Sequence, residues 1–323
     1  MPIFAFMLQF KKYIFISLFL LAITVVKGQR VEIGVMLGAS NYLGDLSNET
    51  VVMKETHFSA ALYGRYNVNP KVAVKGFFAY GRVSGDDKTF ASTTRTYRDI
   101  PGIEFNKYRN LNFYSDIFEF SVQAELNLLP NDLVGYQRRP FIPYAFLGLG
   151  VFNFNPKTHF LGKTIELQPL ATEGQGSTTY NDVKKYNLTN ICIPLGIGFR
   201  QKVGNDLFIG IEAGVRLTNT NYLDDVGGRF GSKVVINGAT GRTGLLLSDR
   251  SWELDPTSDV NIANPLNIPF YKNPDPSNVT NEDLFIEDAK RSDRHFNKTD
   301  MYFMAGITVS YIIRFKGQGC PTF

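Results

Sequence analysis

The segment 190–220 contains two stretches in which large apolar residues alternate with small or polar residues. A period of two residues is typical of a β-strand, and the Val203–Asp206 turn between the two stretches therefore predicts a hairpin. Each stretch has roughly ten residues, the length with which a tilted strand crosses a lipid bilayer. One face of the hairpin is apolar throughout, whereas the other carries Arg200, Glu212 and Arg216. We therefore expect lipid on the first face and a closed, polar interior behind the second.

The same alternation recurs in six further stretches. They run from about 31 to 40, 57 to 68, 72 to 82, 118 to 128, 140 to 154 and 302 to 315. The stretch from 140 to 154 is apolar on both faces, so its orientation stays open, although Gly148 and Gly150 indicate tight packing on one side. The last stretch has aromatic residues on its apolar face near the end of the chain, as in the aromatic girdles of membrane barrels.

The connections between these eight predicted strands alternate in length. Three are short, at Asn69–Pro70, 130–139 and Gly204–Asn205, and four are long, the longest running from 222 to 298. This asymmetry predicts an all-β fold, an eight-stranded antiparallel transmembrane β-barrel of the outer-membrane type with short periplasmic turns and long extracellular loops. A soluble sandwich or a lipocalin could share the alternation but would not require the asymmetry. The expected boundaries are a signal peptide at 1–28, the barrel at 29–315 with a long extracellular loop at 221–298, and a periplasmic tail at 316–323.

The first residues indicate export. Lys11 and Lys12 precede an apolar run from Tyr13 to Val26, which is typical of a signal peptide cleaved after Gly28; an uncleaved anchor helix is the alternative. No later apolar run reaches about 18 residues, which argues against a helical membrane protein. Cleavage would remove three lysines, Lys27 among them, and lower the formal charge from +4 to about +1, which argues against a nucleic-acid binder.

The inward positions of the predicted strands collect charged residues. They are Glu32, Arg65, Lys75, Glu119, Glu125, Arg200, Glu212, Arg216 and Arg314. The interior of an eight-stranded barrel is only wide enough for its own side chains, so we expect these charges to pair across the lumen and plug it. A plugged lumen argues against a diffusion pore. The alternative function for these charges is a path for protons or ions through the barrel.

Signals for catalysis, metals and cofactors are weak, so the sequence predicts a chain that is not an enzyme and holds no metal or cofactor. Of the three histidines, His57, His159 and His295, none has a partner at a recognisable metal-ligand spacing. A base and a nucleophile could be formed by His57 with Ser59 or by His159 with Thr158, but such proximities also arise by chance. The adjacent pair of carboxylates at 224 and 225 favours turn residues over calcium ligands.

The two cysteines are expected at opposite ends of the barrel. Cys192 lies near the long-loop end of its strand and faces the lumen, whereas Cys320 lies in the tail beyond the last strand. A barrel height of about 25 Å separates them, so they cannot bridge each other. Two interpretations stay open: an intermolecular disulfide from Cys320 to a periplasmic partner, or an unreactive free thiol.

Several stretches resemble the DUF6089 family of outer-membrane barrels, whose members include a component of the type IX secretion system. The resemblance is carried by Gly34–Ser47, Asn219–Gly227, Leu247–Glu253 and the closing Cys320–Pro321 with Phe323. It implies a non-enzymatic scaffold in the outer membrane, surrounded by lipid, that docks a periplasmic secretion-ring lipoprotein (PorK-like) through its short turns and tail, with Cys320 placed to join the two. The alternatives are a structural or adhesive barrel of the OmpA/OmpX type that acts through its loops, a lipid-modifying enzyme, and a small pore.

Overall fold

The computed structural model describes most of the chain between Val31 and Ile313. The described residues are 31–47, 51–89, 109–129, 141–177, 184–204, 206–228, 230–231, 233–250, 253, 291 and 299–313. The expected signal peptide, the tail with Cys320, Arg314, His295 and most of the longest loop lie outside them.

Ten strands are present among the described residues. They are β1 Val31–Leu43, β2 His57–Asn67, β3 Val72–Asp86, β4 Asn112–Asn127, β5 Phe141–Asn153, β6 Lys157–Phe160, β7 Lys163–Glu166, β8 Thr189–Val203, β9 Leu207–Thr218 and β10 Met301–Ile313. Eight of them form the predicted barrel, and β6 and β7 form an additional hairpin that the alternation did not reveal. In the described part of the chain a helical segment, α1, spans Lys233–Ser248 with a kink at the non-helical residue Gly241, and 3-10 turns lie at Met53–Glu55 and Gln168–Leu170.

The barrel closes because the first and last strands pair with each other. Strand β1 is antiparallel to both β2 and β10, and every other barrel strand pairs with its two neighbours in the same way. The closing register places Val35 opposite Val309, and β3 pairs with β4 over its full length, from Val72 opposite Leu126 to Asp86 opposite Asn112. The predicted all-β barrel of eight antiparallel strands is therefore confirmed. The start of β1 and the end of β10 lie on the rim that carries the short connections.

The strand alternation separates an apolar outer wall from a polar and aromatic lumen. Outward side chains such as Leu62, Phe120 and Ile197 are more than half exposed, as expected of a surface that contacts lipid. Strand β5, whose orientation the sequence left open, turns Tyr144 and Phe146 into the lumen and its leucines outward. Glycines allow the close strand contacts: a Cβ at Gly148 would lie 2.5 Å from the carbonyl oxygen of Val122.

Several barrel strands are longer than predicted at the long-loop rim. Strand β4 begins at Asn112 rather than near 118, and β1 continues to Leu43. Near the end of β1 three successive residues, 40–42, are buried, and at the start of β4 the outward residues are only partly exposed, so the contrast between exposed and buried residues is weaker there. No helix in the described part of the chain has the length and apolar character needed to cross a membrane.

Candidate functional site

The charged residues of the lumen form two hydrogen-bonded groups. Near the rim of short turns, Glu32 Oε2 accepts hydrogen bonds from Nη1 of Arg65 and Nη1 of Arg200, both at 2.8 Å. Its other oxygen accepts from Asn67 Nδ2 at 2.8 Å, and the hydroxyl of Ser310 donates to Oε2 at 3.2 Å. All five side chains are buried. One carboxylate thus holds two guanidinium groups from different strands across the lumen.

Lys75 continues this group toward the middle of the barrel. Its ammonium lies 3.0 Å from Glu125 Oε1 and 2.6 Å from Glu212 Oε2. Arg65 Nε bonds the other oxygen of Glu125 at 2.6 Å, and Tyr144 donates its hydroxyl to Glu212 at 2.7 Å. Four aromatic rings surround the ammonium, at 4.8–5.9 Å from their centroids: Tyr63, Phe77, Tyr144 and Phe146. Such contacts stabilise a cation that has lost its water.

A second group lies closer to the rim of long loops. Arg216 Nε bonds Glu119 Oε2 at 3.0 Å, and the hydroxyl of Tyr302 donates to the same oxygen at 3.0 Å. Eight of the nine predicted lumen residues are therefore buried in ion pairs, and Arg314 lies outside the described residues. The eight comprise four carboxylates, Glu32, Glu119, Glu125 and Glu212, and four cations, Arg65, Lys75, Arg200 and Arg216. Their formal charges cancel, as the desolvation cost of buried ions requires.

A stack of aromatic rings connects the lumen to the loops above it. Tyr302 and Phe154 each lie 5.5 Å from Phe152, and the ring of Tyr186 is parallel to Phe154 at 6.2 Å. Tyr222 then stacks on Tyr186 at 4.9 Å with an angle of 8° between the ring planes. Phe152, Phe154 and Tyr302 belong to one hydrophobic core that runs from the barrel strands into the loops, and Tyr186 packs against this core. The loops are thereby fixed to the lumen filling.

We call the described residues of the long connections the loop cap. It comprises 44–47, 51–56, 87–89, 109–111, 154–177, 184–188, 219–228, 230–231, 233–250, 253, 291 and 299–300. At its centre, Asp225 has a left-handed backbone with φ of 67° and accepts hydrogen bonds from the hydroxyls of Thr172 at 2.5 Å and Tyr186 at 2.7 Å. Arg291 bonds the backbone oxygen of Asp225 at 2.6 Å. Two connections distant in sequence, one between β7 and β8 and the other between β9 and β10, meet at this residue.

A buried ion pair fixes a further part of the cap. Arg109 bonds both carboxylate oxygens of Asp87, at 2.7 and 2.9 Å, and donates to the backbone oxygens of Arg291 and Asp45. Burial raises the pKa of Asp87, and the guanidinium opposes this shift. The pair therefore ties the connection between β3 and β4 to two other loops.

Three carboxylates converge beside this pair. Asp45, Asp224 and Asp300 are all buried and offer oxygen atoms within 4.8 Å of one another. The hydroxyl of Tyr42 donates to Asp224 at 2.6 Å, and the backbone N–H of Val226 donates to its other oxygen at 2.9 Å. Burial, reinforced by the carboxylates of Asp300 and Asp45, raises the pKa of Asp224 well above its usual range. The described contacts of Asp224 and Asp300 are hydrogen bonds from a tyrosine hydroxyl and from backbone N–H groups, and they do not by themselves define a metal site.

The sequence pairs suggested as base and nucleophile do not come together. His57 Nε2 lies 2.6 Å from the hydroxyl of Ser84, a residue that the sequence argument missed, and not against Ser59. Ser84 in turn donates to Glu55, so the serine stands between the histidine and the acid. In a catalytic triad the histidine occupies the middle position. His159 stacks on a tyrosine ring instead: the ring centroids of His159 and Tyr114 are 5.1 Å apart.

Cys192 is buried in the lumen wall, where the hydroxyl of Tyr302 lies 3.8 Å from its sulfur atom. The other cysteine, Cys320, lies outside the described residues.

Sequence reasoning missed the residues that assemble the loop cap. Arg109, Glu173 and Arg291 are separated by long stretches of loop, and no strand periodicity places them. The signal that could have pointed to them is the conspicuous run 219–228, since all three contact this run or the residues packed on it.

Comparison with known proteins gives a match to a family model but no match to a protein with a curated description. A family model described as "Domain of unknown function (DUF6089)" matches residues 11–232. Among proteins with curated descriptions, none matches the chain.

Solved structures with distant similarity are outer-membrane barrels. Neisserial surface protein A is 8% identical with a TM-score of 0.35 and covers 89% of this chain and 98% of its own. The N-terminal barrel domain of Pseudomonas aeruginosa OprF is 7% identical with a TM-score of 0.32, covering 88% and 98%. The Yersinia pestis attachment invasion locus protein Ail, in complex with a heparin analogue, is 12% identical with a TM-score of 0.33, covering 59% and 89%. The fold assignment rests on the strand pairings described above. The family model covers more than half of the sequence, so the chain belongs to the DUF6089 family.

Proposed function

We propose that this protein is a PorG-like, non-enzymatic scaffold of the type IX secretion machinery, inserted in the outer membrane, and that it anchors a periplasmic ring lipoprotein of the PorK type. The lumen carries this proposal. Its eight described charges are paired and buried, and aromatic rings separate them from the loop cap. A barrel filled in this way offers its rims to partners rather than its interior to solutes.

The rim of short turns is the surface proposed for the partner. It carries the turns at 68–71 and 204–206, together with the start of β1 and the end of β10. The first of these turns is rigid, because the side chain of Asn69 accepts hydrogen bonds from the backbone N–H groups of Lys71 and Val72, each at 2.8 Å. A rigid rim presents a fixed surface to a partner and lowers the entropic cost of binding. The last described strand ends at this same rim, and in this proposal a disulfide from Cys320 in the tail joins the partner there.

The two cysteines provide a matched test. The full-length protein is purified from membranes in mild detergent, and its complexes are separated on non-reducing gels. We expect a periplasmic lipoprotein to co-purify and a disulfide-linked band to disappear in Cys320→Ser. The same band should persist in Cys192→Ser, because Cys192 is buried in the lumen wall. Absence of any co-purifying lipoprotein, together with normal secretion in a deletion strain, would contradict the scaffold function.

A structural or adhesive function through the loops is the second candidate. The β6–β7 hairpin favours it, since Leu161 at its tip is 73% exposed on a short, regular projection. An exposed leucine on a rigid hairpin is suited to contact another surface. Deletion of residues 157–166 would abolish adhesion and leave secretion normal if this candidate is correct, whereas the scaffold function predicts that neither changes.

A further inference from the structure

The segment 51–56 of the loop cap lies against the outer face of the barrel. The alternation of β1 and β3 places Asn41 and Ser84 on the outward side of the wall, yet both side chains are buried. Asn41 Nδ2 donates a hydrogen bond to the backbone oxygen of Val52 at 2.8 Å, and the hydroxyl of Ser84 donates to the carboxylate of Glu55. Two strands of the wall therefore hold this segment on the outside of the barrel.

The exposed side chains of this segment are apolar or cationic. Met53 is 78% exposed and Val51 is 50% exposed, and Lys54 between Met53 and Glu55 is exposed as well. Glu55, the one acidic residue of the segment, is bound to Ser84 on the wall. The segment thus presents two large apolar side chains and one cation, and it keeps its carboxylate against the barrel.

The segment lies at the upper edge of the wall that contacts lipid. From Val31 to Asn41, strand β1 covers about 25 Å of barrel height, at roughly 3.3 Å per residue and a tilt of about 40°. The apolar band of a membrane barrel is also about 25 Å tall. Phe58 lies one pair below this edge, opposite Ala39, and is 60% exposed on the outer wall. The segment bound to Asn41 is therefore at the level where acyl chains give way to headgroups.

We propose that the segment 51–56 is an interfacial anchor, in which Val51 and Met53 insert into the boundary between acyl chains and headgroups at the rim of long loops, with Lys54 among the headgroups. Apolar side chains flanked by a cation are suited to this boundary, because the apolar groups leave water while the charge stays in it. Lipid is the occupant because the segment continues the lipid-facing wall. This inference rests on insertion of the barrel in a membrane and is independent of the secretion function.

Fluorescence quenching from the lipid and from the water tests the anchor. The variant Met53→Cys, in the full-length chain with Cys192→Ser and Cys320→Ser, is labelled with an environment-sensitive fluorophore and folded into phosphatidylcholine vesicles. Part of the lipid carries a spin label near the carbonyl end of one acyl chain, and iodide is the quencher in the water. The aqueous control is Lys88→Cys, at an exposed position of the cap. We expect the spin label to quench the fluorophore at 53 at least about twofold more than at 88, and iodide to quench it less.

Strong quenching by iodide at 53 without quenching by the lipid label would overturn the proposal, since these side chains would then be open to a protein partner. If Met53→Cys does not fold, Val51→Cys takes its place in the same comparison.

Two further variants make the test specific to this segment. Leu62→Cys, at a wall position that is 61% exposed, should be quenched by the lipid label, and absence of quenching there would contradict the membrane insertion on which the proposal rests. Asn41→Ala removes the donor to Val52, so we expect quenching by the lipid label at 53 to fall at least about twofold. Unchanged quenching in this variant would contradict the fixed position from which the anchor is argued.

Discussion

Replacing Lys75 with methionine tests whether the larger of the two groups of lumen charges is balanced. Methionine has nearly the same length and keeps the contacts with the surrounding rings, but it removes the ammonium that lies between Glu125 and Glu212. Glu125 retains Arg65, whereas Tyr144 is the only other donor to Glu212 that the structure shows. The described lumen then carries one uncompensated negative charge.

The cost follows from the burial of these groups. Removing one partner of a fully buried ion pair costs about 3–5 kcal/mol, because the remaining charge stays desolvated. The matched control is Lys157→Met, since Lys157 lies 3.4 Å from Glu166 and the two side chains are 30% and 50% exposed. An exposed pair of this kind contributes about 0–1 kcal/mol.

Reversible urea unfolding in lipid vesicles, followed by circular dichroism of the strands, gives both free energies of unfolding. We expect Lys75→Met to lose at least about 2 kcal/mol more than Lys157→Met. The double variant Lys75→Met with Glu212→Gln restores neutrality and should lose less than the sum of its single variants, because the two residues are in contact. Equal losses for Lys75→Met and Lys157→Met would refute the idea that the buried network stabilises the barrel.

Three further outcomes follow from the same structure. Gly148→Val should reduce the stability of the barrel by about 2 kcal/mol or more, because a Cβ there would lie 2.5 Å from the backbone oxygen of Val122. Gly64→Ala should be nearly neutral, because a Cβ at this position has no atom within 4 Å. Heat-modifiability gels compare the stability of the two variants. Arg109→Met should leave Asp87 buried without its guanidinium and increase cleavage of the cap by external protease, without unfolding the barrel; an unchanged cleavage rate would contradict the packing of the cap. Planar bilayers with the purified protein should conduct no more than empty bilayers, and stable open channels would contradict a filled lumen.

The barrel was predictable from the sequence because its wall obeys a local rule. Each outward residue contacts lipid and each inward residue faces the lumen, so a period of two residues in the sequence predicts the barrel strands directly. The rule is weaker where the lumen itself is apolar. Strand β5 turns Tyr144, Phe146 and Phe152 inward, and both of its faces therefore look hydrophobic, so its orientation was left open.

The cap could not be predicted in the same way. Its contacts join Asp87 with Arg109, and Glu173 with Arg291, across loops that have no periodic pattern. Neither the β6–β7 hairpin nor helix α1 was predicted. The assignment of 224 and 225 as turn residues agrees with the left-handed backbone at Asp225.

Closure of the barrel is tested most directly by the pairing of its first and last strands. Val35 on β1 lies opposite Val309 on β10, whereas Ile307 is two residues away along β10 and lies opposite Leu37. In a background without Cys192 and Cys320, we expect a disulfide to form efficiently between cysteines at 35 and 309, and much less between 35 and 307. Equal or absent cross-linking in both pairs would contradict a closed barrel with this register.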